Sequence, residues 1–155
     1  MRGKRAKKRA IVKDKKYNDE VIGRLINKVM LDGKKSLAQE LVYTAIESGA
    51  QKVNTPVIEF VHTAVDNVRP ALEVKSRRVG GANYQVPVPV TPRRQETLAV
   101  RWLVDVSRSK SGKSFGKLLE EEMVSAFKGE GDAVKKKNDV ERMAEANKAF
   151  AHFRW

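Results

Sequence analysis

The segment from Tyr84 to Val90 restricts the fold of this chain more than any other stretch of its sequence. Tyr84, Val86, Val88 and Val90 alternate with Gln85, Pro87 and Pro89, a period of two that belongs to a strand. Two prolines two residues apart remove N–H groups from one edge of that strand, so it cannot lie inside a sheet with neighbours on both sides. If the depleted edge faces outward, the ladder to a single neighbour loses nothing and a third strand is kept from docking. Gly80-Gly81-Ala82-Asn83 supplies a turn and the residues from Leu72 a partner strand, so an isolated two-stranded β-hairpin over about residues 72–90 is predicted. Such a ribbon is marginal by itself in water, which implies that it projects and is steadied by a partner.

The rest of the chain reads as helix. Val21, Ile22, Leu25, Ile26, Val29 and Met30 recur at helical spacing, with Asn18 or Asp19 as the cap and Gly33 as the stop. Ser36-Leu37-Ala38-Gln39 has the form of a capping box for a second helix, whose inner stripe is Leu37, Leu41, Val42, Ala45 and Ile46 and whose end is Gly49. Thr55-Pro56 opens a third helix with the stripe Phe60, Val61, Ala64, Val65 and Val68, closed at Arg69-Pro70. Thr91-Pro92 repeats that signal ahead of Leu98, Ala99, Trp102, Leu103 and Val106. A loop is expected over 107–114, where Ser114 caps a fifth helix with Phe115, Leu118, Leu119, Met123, Ala126 and Phe127 inward. Glycines at 129 and 131 break it, and a last helix from about Asp132 runs into the aromatic segment 150–155. The expected fold class is mainly α: a single domain of about six helices over residues 17–155 with a protruding two-stranded hairpin and a basic N-terminal arm over 1–16. At 155 residues and 41% hydrophobic, the chain is long enough to bury a core.

The charge narrows the function. Lys and Arg number 32 against 19 Asp and Glu, a formal net charge of +13. That excess is not spread evenly. Residues 1–16 hold nine basic residues and one acid, and residues 75–117 hold ten and two, while the stretches between and after are nearly neutral. Two basic blocks on a neutral body are the footprint of a polyanion binder, with nucleic acid as the leading partner. An anionic membrane would favour a basic amphipathic helix with bulky apolar anchors, and residues 1–10 contain no Trp, Phe, Leu or Ile. With no cysteine there is no disulfide framework, thiolate nucleophile or cysteine-built metal site. No apolar run approaches the roughly 20 residues a membrane span needs, so a soluble intracellular chain without a membrane partner is expected.

Catalysis would leave a constellation of side chains, and none is evident. Ser111-Gly112-Lys113-Ser114 imitates the end of a P-loop, but that motif needs a glycine where Ser107 stands and a strand leading in. The same segment suits a backbone phosphate, because Ser114 opens a helix and Lys110, Lys113 and Lys117 lie close by. His62 and Asp66 are one helical turn apart, yet the only other histidine is His152, too few for a metal site, and a surface or interhelical hydrogen bond is the plainer reading. Glu120, Glu121 and Glu122 read as an acidic helix face, solvated or paired with lysines. Tyr84 could stack on a base or pack against its own strand. The helical arginines carry more information: Arg93 and Arg94, then Arg101 and Arg108, follow one another at seven- to eight-residue spacing, so Arg94, Arg101 and Arg108 share a face. A planar guanidinium suits phosphate oxygens and lies flat on bases. Lys75, Arg77 and Arg78 add the hairpin's charge, and Lys34 and Lys35 that of the turn after Gly33. No enzyme activity, cofactor, metal or small-molecule substrate is expected. A duplex-DNA binder is the alternative, with Arg93-Arg94-Gln95 as the only compact recognition set at a helix start.

The residues from Asp19 to Ala45, with Gly33-Lys34-Lys35 followed by Leu41-Val42 and Ala45, resemble the signature of the bacterial small-subunit ribosomal protein seven family. The hairpin from Glu73 to Val88, the pair Arg93-Arg94 and the ending from Arg142 to His152 resemble it equally, in order and spacing over nearly the whole chain. The resemblance implies a structural constituent of the small ribosomal subunit that binds the 3′ major domain of 16S rRNA, nucleates assembly of the subunit head and acts in translation in the cytoplasm. It implies that the hairpin, with Gly80, Gly81, Ala82, Asn83 and Tyr84 at its tip, lies near the exit-site tRNA and the mRNA exit channel, and that small-subunit proteins nine and eleven are neighbours. Carried onto matching positions, Lys34, Lys35, Lys75, Arg77, Arg78, Arg93, Arg94, Lys110 and Lys113 fall in rRNA-contacting segments. Arg101, Arg108 and Lys117 join them on the ridge and helix start read above, and the arm residues Arg2, Lys4, Arg5, Lys7, Lys8 and Arg9 match as a type. Pro89 departs from the family pattern, which has an acidic residue there.

Overall fold

Asp19 decides where the first helix starts: its carboxylate accepts from the amides of Val21 and Ile22 at 2.8 and 3.0 Å, and α1 runs Glu20–Val29. This computed structural model describes Gly3 and residues 12–153. The arm cations Arg2, Lys4, Arg5, Lys7, Lys8 and Arg9 lie outside the described residues. α1 stops four residues short of the expected Gly33, which instead forms a left-handed turn with Asp32, at φ 74° and 52°. The turn places Lys34 as the cap of α2 (Lys35–Val53), so the helix starts ahead of Ser36 and the expected capping box does not form. With Ser36 already inside the helix, Leu37 points outward and is 51% exposed rather than part of the inner stripe.

Gly49 does not end α2 either. The helix continues to Val53 and is closed by Asn54 in the left-handed conformation. Gly49 marks a close approach: a Cβ there would stand 2.7 Å from the ring of Phe60, which is fully buried in α3 (Val57–Val68). The chain then forms β1 (Leu72–Val79) and β2 (Ala82–Pro89), antiparallel with Leu72 opposite Pro89 and Val79 opposite Ala82, and no third strand joins them among the described residues. The Val90 amide donates to the Ala71 carbonyl at 3.0 Å. That bond fixes the phase of the ladder, so the positions of Pro87 and Pro89 face away from β1 and cost it no hydrogen bond. α4 (Pro92–Ser109) extends three residues into the expected loop, and α5 (Phe115–Phe127) and α6 (Asp132–Ala146) follow, then a 3₁₀ turn over Lys148–Phe153. The first five helices close over Ile22, Leu25, Ile46, Phe60, Leu103, Leu119 and Met123, which lie in one core and have almost no exposed surface.

The hairpin is steadied from within the chain. The Tyr84 ring lies 5.1 Å from that of Phe150 in the 3₁₀ turn, a contact that neither reading of Tyr84 anticipated. Glu141 of α6 accepts from the Ala71 amide at the foot of β1 at 2.8 Å. Val86 and Pro87 are buried, and α6 and the 3₁₀ turn pack against the ribbon.

The chain is also tied down ahead of α1. Asp14, 6% exposed, accepts from the amides of Lys16 and Tyr17 and from the Tyr43 hydroxyl of α2 at 2.5 Å. Tyr17 donates to Glu47 at 2.6 Å, and Lys16 pairs with the same carboxylate. Burial alone would raise the Asp14 carboxyl, but the Tyr43 hydroxyl and the neighbouring amides outweigh it and hold the group below its ordinary 3.8. Asp19 behaves alike: burial raises it, while the Ile22 amide and His62 bring it lower still. A carboxyl depressed in the folded state stabilises it fully above the unfolded value and ceases to do so as pH falls through the folded one. The urea midpoint is therefore expected to fall as pH drops below about 3.8. An Asp14→Asn variant, less stable at neutral pH, is expected to converge on the wild type at the acid end. Parallel curves at all pH values would show that Asp14 makes no such contribution.

Candidate nucleic-acid interface

The second basic block holds two acids, and both are turned toward cations outside it. Glu96 meets Arg24 of α1 at 3.2 Å and Asp105 meets Lys28 at 3.0 Å, so these carboxylates rivet α4 to α1. Arg69 also reaches Glu96, at 4.0 Å. The block's own cations are thus left to other partners, and the structure sorts them.

Lys34, Lys35, Arg78, Arg101 and Lys117 are exposed and have no acidic partner among the described residues. Lys34 and Lys35 stand on the left-handed turn between α1 and α2, Arg78 near the tip of the hairpin, Arg101 midway along α4 and Lys117 in the first turn of α5. Lys75 and Arg94 share Glu73, at 3.0 and 3.3 Å, which joins the hairpin to the start of α4. Burial raises the Glu73 carboxyl, but its bonds to Lys75 and Arg94 win and hold it below the usual carboxylate value. Arg93 is exposed in the first turn of α4, and Arg77 is half-buried on β1. Arg94, Arg101 and Arg108 span about 21 Å along α4 at 1.5 Å per residue. This row connects the foot of the hairpin to the α1–α2 turn.

Two members of the expected set are tied to partners within the protein while keeping part of their surface in water. Lys110 lies 2.5 Å from Glu122 and 2.9 Å from Asp132, and the Glu122 side chain has no exposed surface. Burial would lower the Lys110 ammonium, yet the bonds to Glu122 and Asp132 prevail and raise it above its ordinary 10.5. Arg108 donates to the Val29 carbonyl at 2.8 Å and lies 5.8 Å from the Phe115 ring centroid. Lys113 pairs with Glu121 at 2.5 Å, and Ser114 makes no side-chain cap bond. The expected phosphate loop therefore has Lys110 and Lys113 already engaged. Glu120 pairs with Lys52 at 2.7 Å, so the Glu120–Glu122 run is lysine-paired as expected, while Glu120 and Glu122 are buried rather than solvated. His62 bonds Asp19 across helices at 2.7 Å and not Asp66, which pairs with Arg69 at 2.9 Å. No helix among the described residues is long and apolar enough to cross a membrane.

The sequence reading missed a groove of about 600 Å³ between the α1–α2 turn, the end of α4 and the start of α5. Leu31 and Leu37, 59% and 51% exposed, line it with Leu41 and Phe115, and Lys34, Arg108 and Lys113 stand around them. The signal was present in the sequence, since two leucines flank the basic turn, but the capping box had assigned Leu37 to the core.

Residues 1–148 match the family described as ribosomal protein S7p/S5e. The chain belongs to this family. It is 54% identical over 155 residues, the full length of both chains, to the small ribosomal subunit protein uS7 of Thermosipho africanus. The protein of the same name from Moorella thermoacetica is 52% identical over 151 residues, 97% of each chain, and that of Pseudoalteromonas translucida is 53% identical over 147 residues, 95% of this chain and 94% of its own. Membership makes the chain a ribosomal protein of the small subunit, located in the cytoplasmic ribosome and acting in translation, which is a structural and not an enzymatic class.

Proposed function

We propose that this protein binds the 3′ major domain of 16S rRNA directly and nucleates assembly of the head of the small subunit. The observation that carries this is the sorting of charge. Five cations from four separate segments stand exposed without acidic partners, while Glu96 and Asp105 are turned against α1. Around them Arg93 widens the positive surface, Lys75, Arg94 and Lys113 border it in ion pairs with Glu73 and Glu121, and Arg2, Lys4, Arg5, Lys7, Lys8 and Arg9 extend it along the arm over residues 1–16. Lys110 and Arg108 hold the surface in shape through their bonds to Glu122, Asp132 and the Val29 carbonyl. Phosphate contacts supply affinity, and the fixed spacing of hairpin, α4 row and α1–α2 turn supplies recognition of a folded RNA by shape. The hairpin tip, Gly80 to Tyr84, faces the exit-site tRNA and the mRNA exit channel, and small-subunit proteins nine and eleven adjoin it. The body over 17–155 acts as one domain. The duplex-DNA reading loses its recognition set, because Arg94 is engaged with Glu73 at the start of α4.

The test is a titration of the full chain against a folded head-domain fragment of 16S rRNA and a DNA duplex of similar length at one salt concentration. The rRNA is expected to bind about a thousandfold more tightly, the lower end of the usual margin between specific and non-specific sites. Equal affinities would overturn the proposal.

A further inference from the structure

We propose that the groove between the α1–α2 turn, the end of α4 and the start of α5 is a socket for a single unpaired nucleobase of the bound RNA. The inference rests on the rRNA-binding reading and deepens it by naming what this part of the surface takes. Leu31 and Leu37 are more than half exposed and line one groove of about 600 Å³, on the two sides of the turn that carries Lys34 and Lys35. Exposed leucines there gain nothing from water, and a flat apolar group would cover both.

The chemistry around the leucines selects the occupant. Arg108 is held against Phe115 by its bond to the Val29 carbonyl, so its guanidinium is a fixed platform rather than a mobile side chain. Bases that leave their helix stack on guanidinium planes and aromatic rings. Lys34, exposed and without an acidic partner among the described residues, stands at the rim, where a phosphate flanking an inserted base would lie, and Lys113 lines the groove in its pair with Glu121. Asp32 is the one acid among the described lining residues, on the left-handed turn. A carboxylate repels a phosphate and accepts from an exocyclic amino group, so the base edge, not the backbone, sits over it. An apolar side chain of another protein would match the leucines but would leave the cationic rim unused.

The experiment compares the wild-type chain with a Leu31→Ser/Leu37→Ser variant on the folded head-domain fragment. Both side chains are largely exposed, so the variant's thermal midpoint is expected to match the wild type. Its affinity is expected to fall about tenfold to a hundredfold, the range for losing one stacked base, with the salt dependence unchanged because no phosphate contact is lost. Base-edge reagents are expected to show one or two unpaired bases shielded by the wild type and exposed with the variant, while hydroxyl-radical protection of the backbone persists. Affinity within about twofold and unchanged base protection would overturn the proposal. So would unchanged base protection together with loss of a second small-subunit protein from the assembling head, since the groove would then hold protein. If the wild type protected no part of the fragment, the rRNA-binding reading would fall with it, and that result is distinct from the other two.

Discussion

Replacing Glu122 with alanine is expected to lower the free energy of unfolding by about 1–3 kcal/mol, the usual cost of leaving a buried donor without its acceptor. Glu122 projects from α5 with no exposed side-chain surface. One carboxylate oxygen accepts from Lys110 at 2.5 Å and the other from the Ala133 amide at 2.8 Å. It therefore joins the loop after α4 to the first turn of α6, where Gly131, at φ 95°, lets the backbone pass so close that a Cβ would stand 2.9 Å from the carboxylate. Alanine would leave the buried amide at the start of α6 without an acceptor and Lys110 with Asp132 alone. Glu122→Gln keeps an acceptor for the amide and gives up the charge, so its loss is expected to be about half as large. The readout is the urea midpoint with the slope held constant. A loss below about 1 kcal/mol for the alanine variant would show that water or Asp132 replaces the carboxylate.

The second large effect concerns binding. Changing Lys34, Lys35, Arg78, Arg101 and Lys117 together to glutamine is expected to reduce the slope of log affinity against log salt by about 3.5–4.5, at 0.7–0.9 for each phosphate contact. With 1 M salt as the reference, the same relation implies a loss of about 3.5–4.5 orders of magnitude in affinity at about 0.1 M salt. None of the five has an acidic partner among the described residues, so the unfolding midpoint is expected to stay nearly constant. Lys110→Gln is the contrasting control: it should cost stability and leave the salt slope almost unchanged. A five-fold variant with the wild-type slope would mean that the RNA lies elsewhere on the molecule.

What could be read from the sequence was what local chemistry decides. The alternation from Tyr84 to Val90 with its two prolines gave the hairpin, its register edge and its lack of a third strand, because strand period and missing N–H groups are properties of a few adjacent residues. Asp19 and Pro92 marked helix starts for the same reason. The misreadings share a different cause. Ser36 has the form of a cap, but the left-handed pair Asp32 and Gly33 starts the helix before it. Gly49 looks like a stop, and its real cause is the ring of Phe60, a partner eleven positions away in another helix. Lys110 carries the same charge whether it faces a phosphate or Glu122, and only the packing of α5 against α6 distinguishes the two. The family resemblance was legible because it rests on order and spacing along the whole chain, which no single contact sets.

The contact between Tyr84 and Phe150 ties the hairpin to residues made much later. A chain emerging from synthesis N-terminus first forms β1 and β2 before their brace exists. Until Lys148–Phe153 is complete, the ribbon is held by its own cross-strand bonds, the Glu73–Arg94 pair to α4, and α6. The shape of the hairpin is thus set only after Phe150 is made, and a chain truncated before it would present the same cations on a looser frame.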